Sequence, residues 1–181
     1  MKKAYIFLAE GFEEVEAVTP LDLLRRAGID AKFISISNER AVVGAHKITY
    51  LADEIFDNVD FSDGDAFILP GGMPGTTNLN AFDELTSLIK SKFEDGKLVA
   101  AICAAPTILW KLGILAGIET AVYPSYEGKL DGTITNGKKV CSYNNIITGN
   151  ALGSAIDFSL EIINYLMSED KKMSLKNEIV Y

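Results

Sequence analysis

The chain has 181 residues, enough for one domain that buries roughly 70% of the surface its unfolded form exposes. Hydrophobic residues make up 48% and charged residues 23%, a balance that excludes extensive disorder. With 17 Lys and Arg against 25 Asp and Glu the net charge is −8, and no basic cluster is present, so nucleic acid and anionic membranes are not expected partners.

Two cysteines and one histidine are too few for a Cys/His zinc site or a disulfide framework. No metal or cofactor is therefore expected, and a reducing cytoplasm is the expected compartment. Lys2 and Lys3 followed by Ala4–Ala9 loosely imitate a signal peptide. Glu10 cuts the apolar run, and Glu13, Glu14 and Glu16 follow, which a secretory segment does not tolerate.

In chain order, a strand is expected at Ala4–Ala9, a helix at about Glu13–Ala27 and a strand at Ala31–Ile36. A strand at Ala66–Pro70, a helix at Leu79–Glu94, a strand at Leu98–Ile102 and a helix at Pro106–Leu112 follow. Further strands are expected at Ala121–Tyr123 and Asn145–Thr148, and a last helix at Leu152–Met167. The strands are nearly continuous apolar runs, as parallel strands covered on both faces require. Gly28, Gly96 and Gly113 close three of the helices. Strand–helix alternation predicts right-handed crossovers and an α/β, doubly wound sheet in one domain. Asn136-Gly137, within Thr133–Val140, predicts a small β-hairpin excursion. The tail from Ser168 to Tyr181 is weakly patterned, and docking and fraying both remain open.

Ligands in such a sheet bind outside the carboxyl ends of the strands, and three loops supply candidates. In Ala100-Ala101-Ile102-Cys103-Ala104-Ala105-Pro106, Cys103 falls where a buried strand turns into a helix that starts on proline. Free N–H groups and the helix dipole there predict a depressed thiol pKa and a nucleophilic or oxidisable sulfur. On the first helix, Ala17, Pro20, Leu21, Leu23, Leu24 and Ala27 form an apolar arc, and Glu16 projects into it. A carboxyl placed there is desolvated and protonates readily. Glu13 and Glu14 read as first-turn acids complementing the dipole. The glycines of Leu69-Pro70-Gly71-Gly72-Met73-Pro74-Gly75 let backbone N–H groups approach a ligand.

These three loops together resemble the ThiJ/PfpI superfamily, in the branch of Parkinson disease protein 7 and its bacterial relatives. The segments that carry the resemblance are Gly11-Phe12-Glu13-Glu14-Val15-Glu16, Arg25-Arg26-Ala27-Gly28-Ile29, Leu69-Pro70-Gly71-Gly72 and Ala100–Thr107. The resemblance implies a flavodoxin-like sandwich, a homodimer, and a reactive Cys103 hydrogen-bonded to a protonated Glu16. It also implies oxyanion donors at Gly72 and at the N–H of Ala104. Two positions depart from the pattern. Tyr123-Pro124 stands where many members carry histidine-proline, and Ala105 replaces a glycine. Tyr123 can donate a hydrogen bond but is a poor base at neutral pH, which argues against a cysteine peptidase.

His46 aligns near a segment that often supplies an interface arginine, and it reads as a surface or interface residue. Cys141 reads as a packing residue. Two functions are compatible with the pair. One is an enzyme acting on small aldehydes or dicarbonyls through Cys103 and Glu16. The other is a sensor or chaperone in which Cys103 oxidises to sulfinate. No G-x-G-x-x-G or phosphate-loop motif supports a nucleotide or flavin site.

Overall fold

The computed structural model describes all residues, Met1 to Tyr181. Nine strands form: β1 (Lys3–Leu8), β2 (Asp30–Ser35), β3 (Ala41–Val43), β4 (Thr49–Leu51), β5 (Glu54–Ile55), β6 (Ala66–Leu69), β7 (Leu98–Ile102), β8 (Val140–Tyr143) and β9 (Ile146–Gly149). Six α-helices accompany them: α1 (Glu14–Arg26), α2 (Gly75–Ala81), α3 (Asp83–Glu94), α4 (Pro106–Lys111), α5 (Ala155–Leu166) and α6 (Glu169–Glu178). The main sheet has seven strands in the order β5-β2-β1-β6-β7-β9-β8, and β3 pairs with β4 in a separate antiparallel ribbon. Within the main sheet only β8 runs antiparallel, against β9.

Strand alternation divides the interior into two cores. Ala4, Ile6 and Leu8 of β1 face a core shared with α1 and α5, where Leu24, Phe158 and Ile163 are buried. Tyr5 and Phe7 face the opposite core, shared with α2, α3 and α4 through Leu79, Leu85 and Ile108. Phe7, Phe12, Phe67 and Phe158 are fully buried, each contributing roughly 1.5–3 kcal/mol.

The chain reverses its direction of sheet growth between β1 and β6. The loops leaving β1, β6, β7 and β9 consequently converge at one end of the sheet, where open α/β sheets bind ligands.

Four expectations need correction. The region Ala121–Tyr123 is irregular rather than a strand; its Ala121 N–H is taken by the Thr148 hydroxyl at 2.9 Å instead of by a neighbouring strand. The hairpin is β8–β9, turning at Asn144 with φ +49°, whereas Asn136-Gly137 lies in an irregular loop. The helix expected over Leu79–Glu94 is two helices, broken at Phe82, whose extended ψ of 96° stops one and starts the next. The last helix starts at Ala155, behind a 3₁₀ turn over Leu152–Ser154. The tail docks: α6 buries Leu175 against the α1–α5 core.

Candidate functional site

The strand β7 ends at Ile102, and Cys103 turns the chain with φ +66°, a left-handed conformation rare outside glycine. The Cys103 N–H donates to the Gly149 carbonyl at 2.9 Å, and its own carbonyl accepts from the Tyr123 N–H at 2.8 Å. Both backbone groups are thereby fixed, and these bonds oppose a strain of about 1 kcal/mol. Pro106 then opens α4, its missing N–H costing nothing at a first-turn position.

Glu16 occupies the first turn of α1 and is 1% exposed, as its place in the apolar arc requires. The Gly71 N–H donates to Glu16 Oε2 at 3.0 Å. The second carboxyl oxygen, Oε1, is buried without a partner. An added Cβ at Gly71 would stand 2.6 Å from Glu16 Oε2 and 2.7 Å from Cys103 Cβ, so the carboxyl and the cysteine are packed together around a residue that has to be glycine. Gly72, at φ +88°, approaches the Phe12–Glu13 backbone as closely, and its N–H and that of Ala104 face the Cys103 sulfur.

A pocket of about 390 Å³ opens over this pair. It is lined by Glu13, Glu16, Gly72, Met73, Cys103, Ala104, Tyr123, Ser125, Tyr126, Ala151 and Leu152. All five site residues expected from the sequence (Glu16, Gly72, Cys103, Ala104 and Tyr123) meet there. Tyr123 is 45% exposed and lines the pocket. Sequence reasoning missed Met73, Ser125, Tyr126, Ala151 and Leu152, and it read Glu13, which also lines the pocket, only as a first-turn acid. Of these, Ala151 and Leu152 were detectable in principle, because they follow the carboxyl end of β9.

The expected depression of the Cys103 pKa is not borne out. Burial comes first among the causes, and the charge of Glu16 adds to it; together they push the thiol up to about 12. The N–H groups of Ala104 and Gly72 oppose this without prevailing. The helix dipole contributes little because α4 has only six residues and begins three positions later. Glu16 is itself raised to about 7, by burial first, while the neighbouring thiol and the Gly71 N–H pull it back. The two groups therefore titrate as a unit: the first proton leaves near neutrality, and a second negative charge beside the first is strongly disfavoured.

Glu14 also departs from expectation. It is 5% exposed, and it accepts the His46 backbone N–H at 2.7 Å and meets the His46 Nδ1 at 2.8 Å. An added Cβ on Gly44 would lie 2.4 Å from Glu14 Oε1, so the β3–β4 ribbon clasps this carboxylate. Burial alone would raise Glu14, but the His46 hydrogen bonds outweigh it and hold the carboxylate below its usual range. Glu14 is therefore a tie between α1 and the ribbon rather than a solvated dipole partner. His46 is exposed, as expected, and it does not line the pocket over Cys103. Cys141 is buried on β8, also as expected.

The profile of the DJ-1/PfpI family matches residues 2–165. The chain belongs to the DJ-1/PfpI family. It is 34% identical to protein dj-1beta of Drosophila melanogaster over 172 residues, covering 94% of this chain and 92% of that one. It is 33% identical to DJ-1 homolog B of Arabidopsis thaliana over 181 residues, covering 99% of this chain but spanning only 41% of that longer protein. A deglycase of Thermococcus kodakarensis is 38% identical over 116 residues, covering 64% of this chain and 68% of that one. The structure of oxidized Toxoplasma gondii DJ-1 superimposes with a TM-score of 0.95 at 31% identity, covering 100% of this chain and 99% of that one. Membership of the DJ-1/PfpI family accounts for the parallel sheet flanked by helices. No helix is long and apolar enough to cross a membrane.

Proposed function

We propose that Cys103 and Glu16 are the reacting pair of a cofactor-independent enzyme of the glyoxalase or deglycase type, acting on small dicarbonyls. The observation that carries this reading is the buried Glu16 carboxyl, with one oxygen unpartnered, packed against a cysteine held in a left-handed turn. The relative named a deglycase agrees with it.

In the proposed reaction the Cys103 sulfur bonds to the aldehyde carbon as its proton passes to Glu16. The carbonyl π electrons move to oxygen, where the N–H groups of Gly72 and Ala104 offset the charge, and Tyr123 donates a hydrogen bond. Glu16 first passes the thiol proton to that oxygen, completing a thiohemiacetal. Its carboxylate then takes the proton from the former aldehyde carbon and delivers it to the neighbouring carbonyl carbon, while the hydroxyl proton passes to the neighbouring oxygen. The aldehyde carbon is oxidised to a thioester as its neighbour is reduced to a carbinol. Water cleaves the thioester, releasing a 2-hydroxy acid and the free thiol. The sum is dicarbonyl plus water, with no external oxidant or reductant. A carboxyl that titrates near 7 suits this shuttle, because it both accepts and returns protons at neutral pH.

The test is lactate formation from methylglyoxal. The wild type forms it; a Cys103→Ala variant does not, and equal rates from the two would remove the reading. The same reading takes the protein to be a cytoplasmic homodimer. Val15 on α1 and Ile48 and Leu51 of the adjoining ribbon are 44%, 51% and 69% exposed, an apolar patch suited to a second copy.

A second reading is that of an oxidation sensor, in which Cys103 becomes a sulfinate. The Gly72 and Ala104 N–H groups facing the sulfur favour it, since they would bind sulfinate oxygens. Intact mass after mild peroxide tests it: Cys103 gains oxygen before Cys141 or the methionines do.

A further inference from the structure

A second groove, of about 380 Å³, adjoins the Cys103 pocket and shares Met73 and Tyr126 with it. Its character differs from that of its neighbour. Lys111 and Lys129 both line it, both are exposed, and neither forms an ion pair. On a chain of net charge −8, two free lysines in one concavity with no acid among the lining residues form a local reversal of sign.

Thr76 lines the same groove. It is 5% exposed, and its Oγ1 is buried without a hydrogen-bond partner. An orphaned buried hydroxyl is destabilising unless something arrives to meet it. Asn80 supplies a further amide, and Trp110 walls the groove with its ring while its Nε1 donates to the Asp131 carbonyl at 3.0 Å. That bond fixes the indole plane.

We propose that this groove holds an anionic group, a carboxylate or a phosphate, at the far end of the molecule whose carbonyl meets Cys103. The proposal rests on the dicarbonyl reading and narrows its substrate class: a short carbonyl compound with a charged tail, lying across Met73 and Tyr126. The lysines supply the charge, and Asn80 supplies hydrogen bonds to the acid oxygens. The Thr76 hydroxyl, unpartnered just beneath the groove surface, gains a partner when its side chain turns toward them. A bare three-carbon dicarbonyl reaches only the first pocket and forgoes these contacts.

Trp110 is the only tryptophan, so its emission reports occupancy of this groove whether or not turnover occurs. The experiment titrates the full-length protein at low salt with glycolaldehyde phosphate, succinic semialdehyde and neutral propionaldehyde. A saturable change in emission is expected with an anionic aldehyde and not with the neutral one. The tighter of the two anions identifies phosphate or carboxylate as the preferred group. Exposed Lys111 and Lys129 can be changed without disturbing the core, and Lys111→Gln with Lys129→Gln raises the Kd about tenfold. No saturable change with either anion, an equal response to propionaldehyde, or a Kd unmoved by the double substitution would overturn the proposal. Absence of lactate from methylglyoxal with the Trp110 titration intact would instead count against the dicarbonyl chemistry and leave the anion site standing.

Discussion

Gly71 donates its N–H to Glu16 Oε2 at 3.0 Å, and it leaves no room for even a methyl group beside that oxygen. The carboxyl is thereby set by backbone, and the same missing side chain lets Cys103 close in from the other side. Gly71→Ala should separate the pair. The expected result is a loss of about 1–3 kcal/mol of stability, from overpacking, together with loss of lactate formation. Thermal unfolding and the methylglyoxal assay check both.

The raised Glu16 pKa makes stability depend on pH. Its folded value of about 7 lies above its ordinary 4.5, so the neutral carboxyl is favoured in the fold. The stabilisation is complete below pH 4.5 and is lost as pH rises through 7, amounting to about 3 kcal/mol. Glu16→Gln removes the ionisation. Denaturant unfolding between pH 4 and 8 should show the wild type falling relative to Glu16→Gln across that window. A constant difference would remove the claim that burial governs this carboxyl.

His46 should titrate above its ordinary 6.5, because its hydrogen bond to Glu14 and the charges of Glu13 and Glu14 favour the imidazolium. The associated stability is present below pH 6.5 and lost as pH rises through the elevated value. Ring-proton NMR should give a single raised titration in the wild type and a less raised one in Glu14→Gln, where only the charge of Glu13 remains.

Leu175 is 2% exposed although it lies on a tail with little apolar pattern. Leu175→Ala should cost about 2–3 kcal/mol and speed hydrogen exchange of the α6 amides above that of α5. Exchange already fast in the wild type would mean that the tail does not dock.

Much of this was legible in the sequence, for identifiable reasons. The strands β1, β6, β7 and β9 were readable because both their faces are buried, which forces unbroken apolar runs. Glu16 stood out because a carboxyl inside an apolar arc violates the helix pattern. The β3–β4 ribbon was missed: its strands have three residues each, and its turn uses Lys47 at φ +67° instead of an Asn-Gly pair. Glu14 was misread because its partner, His46, is 32 positions away. The thiol pKa was misjudged because placement beside a helix start was weighed without the desolvation that a packed neighbour and a buried carboxyl impose.

The pH dependence of Cys103 alkylation, in wild type and in Glu16→Gln, bears most directly on the idea that thiol and carboxyl share one ionisation. The wild type should stay sluggish until pH approaches 12, because the proton lost near 7 leaves the carboxyl and the resulting charge opposes the thiolate. Glu16→Gln should react at lower pH, because no neighbouring charge then opposes the thiolate. Superimposable single-step curves from the two proteins would contradict it.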